Sequence, residues 1–234
     1  MIQRFLDITF SLLALICLLP FLLPIALALK FTGEGEILFS QKRVGKNGKL
    51  FNLFKFATML KNSPNLGSGT VTLKGDPRVL PFGKFLRKTK INELPQLINI
   101  FVGDMSVVGP RPQTQRCFEV FPEELQESIC SIRPGLSGLG PIVFRDEENI
   151  LSEKKESVEF YDQVIAPYKG EVEAYYISIY GILSYFKIIF ATLWVVMFPS
   201  SIIVWKLFPS LPTPPEQLKA LLNYPVSLSK NLKC

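Results

Sequence analysis

"ITFSLLALICLLPFLLPIALAL", residues 8–29, carries no charge and almost no polar side chain. A bilayer core takes roughly 20 apolar residues of helix, so the run is long enough for a membrane element. It is long for the apolar part of a secretory signal, and no A-x-A site follows it. Pro20 and Pro24 interrupt it. A proline inside a helix removes one backbone hydrogen bond and crowds the preceding turn. Two arrangements fit: a kinked transmembrane helix, or a helix that bends back and leaves on the side it entered. Lys30, Lys42, Arg43, Lys46, Lys49 and Lys55 follow the run, against Arg4 alone before it. That asymmetry puts the downstream chain in the cytoplasm.

The chain has 234 residues, which suits one compact domain plus a membrane element. Apolar residues make up 48% and charged residues 20%, so global disorder is excluded. The net charge is +6. It favours anionic headgroups or a phosphate-bearing substrate; nucleic acid is disfavoured because the basic residues sit beside the apolar run. Histidine is absent, which removes the commonest general base and zinc ligand. Cys17, Cys117, Cys130 and Cys234 form no CxxC pair, so no disulfide scaffold or zinc site is expected, and the setting reads as reducing.

The pattern predicts an α+β, mainly helical fold in four parts: a membrane element over 1–30, a folded domain over 31–187, an interface helix over 188–208 and a flexible tail over 209–234. Residues 37–56 read as a hairpin with a basic tip at "GKNGK", and 62–75 as a mobile loop. Leu94, Leu97, Ile98 and Phe101 have helical spacing, with Asn92 and Glu93 where a cap and an N-terminal acid belong. Residues 122–131 read as a short helix, and "RPGLSGLGPIV" as a turn followed by a strand. Residues 152–198 read as two helices parted near Pro167–Gly170. The apolar segment before Pro199 is too short to cross a bilayer. It is expected to lie in the interface with Trp194 and Trp205 as anchors; the alternatives are a core helix, or docking on a second copy as a homodimer.

"KTKINELPQLINIFVGDMSVVGPRP", residues 88–112, concentrates the chemistry. Phosphoryl transfer needs positive charge or a metal on the phosphates and a site that holds both reactants. Glu93 is a hard oxygen ligand suited to Mg2+. Arg111, between Pro110 and Pro112, offers a planar fork for phosphate oxygens. Lys55, Arg87 and Lys88 supply further charge if the fold gathers them. No G-x4-G-K-[ST] loop is present, and "GLSGLG" is not a dinucleotide fingerprint.

"RFLD" before the apolar run, "SQKRVGKNGKLFNLFKFATM", "DPRV", "GKFLRKTKINELPQLINIFVGDMSVVGPRP", "RPGLSGLG" and "EAYY" occur in that order across roughly residues 1–195. In series they resemble the bacterial sugar transferase family, the monotopic polyprenyl-phosphate phosphoglycosyl transferases. The resemblance implies transfer of a sugar-1-phosphate from a UDP-sugar to undecaprenyl phosphate, with release of UMP. That step opens assembly of O-antigen, capsule, exopolysaccharide or glycoprotein glycans at the bacterial inner membrane. It implies a re-entrant N-terminal helix broken at Pro20, and a catalytic domain on the cytoplasmic face. It implies an Asp-Glu dyad whose Asp attacks the donor's β-phosphate while the Glu binds Mg2+. Here the dyad reads Asn92-Glu93, so Glu93 corresponds to the metal ligand and Asn92 holds the nucleophile position without its chemistry; either Glu93 itself attacks the phosphate, or the lipid phosphate attacks directly with Asn92 only hydrogen-bonding. Arg111 corresponds to the phosphate binder and Lys55 to a site cation. Leu19, Ala57 and Glu173 depart from the Ser, basic residue and Asp common there. Asp104 is expected to hold its turn, and Tyr175 and Tyr176 to pack the domain. A second reading, resting on Asn92, is a catalytically impaired membrane-anchored scaffold or regulator of a glycan assembly complex.

Overall fold

A computed structural model describes residues 2–66, 75–152 and 157–225. The architecture is mainly helical α+β with one long apolar helix at the N-terminus. That helix, α1, spans Ile2–Phe31 and runs through Pro20 and Pro24 without interruption. The break expected at Pro20 is therefore not a break between two helices: each proline deletes only one hydrogen-bond donor, and the flanking turns carry the helix across.

One side of α1 packs on the rest of the chain from end to end. Leu15 and Leu18 join a cluster around Leu53, Leu97, Ile100 and Met105, while Leu22, Ile25 and Leu29 join Phe56 and Leu86. Full burial of such a side chain contributes about 1.5–3 kcal/mol, which Leu29 approaches and its partly buried neighbours realise in part. The opposite side, with Phe5, Leu13, Ile16, Phe21 and Leu27, is exposed. The "RFLD" residues fasten the start of the helix. Arg4 donates to the carbonyls of Ile100 and Phe101 at 2.6 and 2.7 Å. Asp7, buried, accepts from Ser106 Oγ, the Val107 N–H and the Tyr185 hydroxyl at 3.0, 2.9 and 3.1 Å.

The expected hairpin forms as β1 (Leu38–Val44) and β2 (Leu50–Phe56), antiparallel with Leu38 opposite Phe56. Its tip turns through Asn47 and Gly48, both at positive φ. Helix α2 (Pro81–Lys88) leads into a 3-10 turn at Ile91–Glu93 and then α3 (Gln96–Val102). Asn92 and Glu93 therefore stand one turn ahead of α3, and Asn92 does not cap it: Pro95 occupies that position and the Asn92 side chain is buried. Gly103, at φ 103°, ends α3 in the left-handed conformation that favours glycine. Ahead of α2, Asp76 and Arg78 of "DPRV" pair at 2.9 Å while Arg78 Nη1 donates to the Ser63 carbonyl at 2.8 Å, so this motif braces a loop. Of the 62–75 loop, residues 67–74 lie outside the described residues.

Asn99 ties α3 to the hairpin. Fully buried, it accepts from the Phe54 N–H at 3.0 Å and donates to the Asn52 carbonyl at 2.8 Å and to Asp104 at 3.3 Å. Asp104 thus holds its turn, as expected. Asn99→Leu strands two part-buried backbone groups, each costing about 1 kcal/mol or more. Thermal unfolding in detergent is expected to fall by several degrees; an unchanged midpoint would remove this tie from the account.

Strand β3 (Ser106–Val108) pairs in parallel with β4 (Gly135–Ser137). Between them lie α4 (Gln115–Glu119) and α5 (Glu123–Cys130), the latter as expected. After β4 comes not a strand but helix α6 (Leu139–Val143), so the strand of "RPGLSGLGPIV" lies inside its first half. Helices α7 (Glu147–Ser152) and α8 (Ser157–Phe160) lead through a π-turn at Tyr161–Ile165 into α9 (Ala166–Ser178). Pro167 and Gly170 do not part this helix. Pro167 sits in its first turn, where a missing N–H costs nothing, and Gly170 lies against Phe121 and Pro122. The break falls at 179–181.

Helix α10 (Ile182–Met197) buries Tyr185, Ile188, Ala191 and Val195 and exposes Leu183, Phe186, Phe190, Leu193 and Val196. Pro199 follows its end, as expected. Helices α11 (Ile203–Leu207) and α12 (Glu216–Lys219) join the same core as α9 and α10. Trp205 is 3% exposed and meets Tyr224 edge-on, so it is a core residue and not a surface anchor. The tail read as flexible is folded as far as residue 225: Leu211, Leu218 and Leu222 are buried. Few apolar residues suffice there because each fills a core site. Residues 226–234 lie outside the described residues. Tyr176 is fully buried with its hydroxyl directed at the Val108 carbonyl, and Tyr175 is partly buried against the same core, so both pack the domain.

Candidate active site

Four elements converge on one carboxylate. Glu93 ends the 3-10 turn, which follows Lys90 in the left-handed conformation, uncommon for a side chain larger than glycine. Its Oε1 receives Lys55 Nζ of β2 at 3.5 Å and Arg111 Nη2 of the turn after β3 at 3.3 Å. Glu93 and Arg111, 18 residues apart in sequence, are thereby brought together. Arg43, near the end of β1, lies within electrostatic reach of both.

Four hydrogen bonds fix the backbone of the turn that presents Arg111. The Pro110 carbonyl accepts the Gly135 N–H at 2.8 Å. The Arg111 N–H, the one N–H that "PRP" possesses, donates to Glu173 Oε1 of α9 at 3.0 Å. The Pro112 carbonyl accepts Arg43 Nη1 at 3.2 Å, and the Gln113 carbonyl accepts the Val44 N–H at 3.0 Å.

Positive charge dominates the electrostatics. Burial alone would push the Glu93 carboxyl up, but Lys55, Arg111 and Lys90 outweigh it and hold the group well below the usual carboxylate range. Burial lowers Lys55 to about 8 against the opposing pull of Glu93. Burial and then Arg111 lower Arg43 to about 10. Glu93 holds Arg111 above its ordinary value. One carboxylate thus faces three half-buried cations.

Of the residues singled out from sequence, Glu93, Arg111 and Lys55 meet in contact. Asn92 lies beside them, 5% exposed, with its Oδ1 buried and unpartnered among the described residues. Arg87 is turned aside: it pairs with Glu148 of α7 and reaches Lys55 only through its field. Arg43 escaped the sequence reading of the site, and Glu173 entered it only as a departure from the Asp common at that position. Arg43 was legible only as one of a basic cluster. Nothing in the local sequence links Glu173 to Arg111.

Glu173 is 1% exposed, and burial pushes its carboxyl up to about 7 from an ordinary 4.5. Between those values the folded chain holds a proton that the unfolded chain has lost. The associated stability is complete below pH 4.5 and is lost as pH rises through about 7. Glu173→Gln has no such proton. Its melting temperature relative to the wild type is expected to be several degrees higher at pH 8 than at pH 5; equal differences at both values would contradict a buried, titrating acid.

Among the described residues no three acidic, cysteine or histidine side chains cluster as a metal cage. The donor set still fits Mg2+ in one form. Both cations rest on Glu93 Oε1, which leaves Oε2 as a single hard anionic ligand, the number Mg2+ commonly takes when phosphates and water complete its shell.

The description "bacterial sugar transferase" belongs to the family model that matches residues 1–199 of this chain. Among curated proteins, an undecaprenyl-phosphate glucose phosphotransferase of Komagataeibacter xylinus is 38% identical over 157 residues, covering 62% of this chain and 30% of that protein. Exopolysaccharide production protein PSS of Rhizobium leguminosarum bv. phaseoli is 41% identical over 143 residues, covering 59% of this chain and 72% of that protein. A UDP-glucose:undecaprenyl-phosphate glucose-1-phosphate transferase of Klebsiella pneumoniae is 38% identical over 163 residues, covering 68% of this chain and 34% of that protein. The chain thus spans about a third of the length of two of these relatives and most of the third.

Proposed function

We propose, since this chain belongs to the bacterial sugar transferase family, that it transfers a sugar-1-phosphate from a UDP-sugar to undecaprenyl phosphate and releases UMP. The step begins synthesis of a surface polysaccharide or glycoconjugate. The observation that carries the reading is the surplus of cations around Glu93. Half-buried positive charge without an equal number of carboxylates is costly in isolation, and a diphosphate supplies the missing negative charge.

In this reading Arg111 and Lys55 hold the diphosphate oxygens, and Arg43 holds the Arg111 turn and adds its field. Preorganised cations of this kind stabilise charge that develops on the equatorial oxygens and on the leaving UMP. Glu93 would hold Mg2+, whose contribution is to neutralise phosphate charge. The bond broken joins the β-phosphorus to the oxygen bridging the two phosphates; the bond formed joins that phosphorus to the acceptor oxygen. An amide does not attack phosphorus, so no phosphoryl ester forms on Asn92, and the covalent step of an Asp-Glu dyad does not run through this position.

The lipid acceptor requires the site to meet the bilayer. Along α1, Arg4 and Asp7 at one end and Leu22, Ile25 and Leu29 at the other touch the same folded body. Ends held this way belong on one side of the membrane, which supports a helix that enters without crossing; the basic residues that follow it support a body on the cytoplasmic face. The exposed apolar sides of α1 and α10 then rest in the lipid, with Trp194 beside Phe190 and Phe198 at the boundary.

The test is nucleotide release by purified protein in detergent, with a panel of UDP-sugars, Mg2+ and undecaprenyl phosphate. UMP that appears only with the lipid acceptor supports the transferase. Intact folding with no turnover of any donor supports the second reading, an impaired scaffold, which Asn92 favours.

A further inference from the structure

We infer that Glu173 is a positioning residue for the diphosphate site: its buried carboxyl group captures the Arg111 N–H and so aims the guanidinium at the anion. The inference rests on the transferase reading only for the identity of that anion.

The turn Pro110–Arg111–Pro112 has a single N–H to offer, because neither proline carries one. A buried N–H without an acceptor costs about 1–3 kcal/mol. Glu173 Oε1 meets it at 3.0 Å, across 62 residues of sequence. One neighbour fixes the carboxyl group in turn. The Gly140 backbone faces it, and a Cβ at that glycine would lie 2.1 Å from Oε1. The absence of a side chain at 140 is therefore what lets α6 close against this face of α9. Lys169, one turn earlier on α9, is itself buried and taken up by Glu147 at 2.8 Å. Glu173 is thus not a member of a salt bridge, and its Oε2 is buried without a partner among the described residues.

The arrangement suits an oxygen acceptor of fixed position better than a structural ion pair. Burial that pushes the group up to about 7 also makes the protonated carboxyl accessible near neutrality. A neutral acceptor opposes Arg111 less, leaving its guanidinium to the substrate. If so, an amide of the same shape serves nearly as well.

The experiment measures UDP binding by titration calorimetry in detergent for the wild type, Glu173→Ala, Glu173→Gln, Arg111→Ala and Glu173→Ala combined with Arg111→Ala. UMP release is measured alongside. Glu173→Ala is expected to weaken UDP binding at least tenfold and to raise the donor KM more than it lowers kcat. Glu173→Gln is expected to recover most of that loss. The double variant is expected to bind no more weakly than Arg111→Ala alone, because Glu173 acts through Arg111. Gly140→Ala, which drives a methyl against Oε1, provides the same test if Glu173→Ala fails to fold. Wild-type binding by Glu173→Ala and Gly140→Ala, or additive losses in the double variant, would overturn the assignment. UDP binding with this pattern but no turnover by the wild type would instead remove the transferase reading and leave the positioning role standing.

Discussion

Arg111→Ala is expected to lower lipid-dependent UMP release by about 100- to 1,000-fold, the usual cost of deleting a preorganised charge donor from a transition state. The donor should also bind more weakly, since the guanidinium grips the diphosphate before and during transfer. Glu93→Ala is expected to lose turnover on a similar scale with a different signature. Removing the carboxylate leaves Lys55, Arg111 and Arg43 facing one another without their shared partner. UDP in the absence of Mg2+ then binds at least as tightly as to the wild type, because the nucleotide's own charge replaces the missing acid. Initial rates and calorimetry on the two variants separate these roles. Equal losses of binding in both would mean that Glu93 is a scaffold for Arg111 and nothing more.

Asp7→Ala is expected to cost about 3–5 kcal/mol, since each buried donor left without its acceptor costs about 1–3 kcal/mol. Three donors lose their acceptor together: Ser106 Oγ, the Val107 N–H and the Tyr185 hydroxyl. For a chain of this size that corresponds to a fall of roughly 10 °C in Tm. Asp7→Asn keeps one acceptor oxygen and should fall by less. The loss matters beyond stability. Asp7 joins α1 to β3 and α10, and β3 runs directly into the turn that carries Arg111. A variant that melts like the wild type would show that α1 is held by Arg4 and its apolar contacts, without Asp7.

Local signals were legible where one stretch of chain settles its own structure. "GKNGK" between two apolar segments specified the hairpin because Asn47 and Gly48 accept positive φ at low cost. The apolar run was legible as a helix, and the rigid "PRP" was legible as the mount for Arg111. What stayed hidden depends on contacts between distant segments. Asn92 has the sequence context of a helix cap, yet Pro95 moves the start of α3 onward and Asn92 turns inward. Pro167 and Gly170 look like a break, but a first-turn proline and a glycine pressed against Phe121 suit one continuous helix. Trp205 has the look of an interface anchor and fills the core, because α11 folds back onto α9 and α10. At the site, Glu93, Lys55 and Arg111 declared their chemistry by residue type alone. Arg87 did so too, and tertiary packing gave it to Glu148. Glu173 was the reverse case, an acid on an ordinary helix whose purpose emerges only when the turn at Arg111 arrives beside it.

The central claim is that the cations around Glu93 form the diphosphate site. A structure of the protein with bound UDP tests it most directly. The expected result has diphosphate oxygens within hydrogen-bond distance of the Arg111 guanidinium and of Lys55 Nζ, on the side of Glu93 that carries Oε2. A diphosphate bound elsewhere, with the Lys55–Glu93–Arg111 contacts unchanged and filled by no anion, would contradict it.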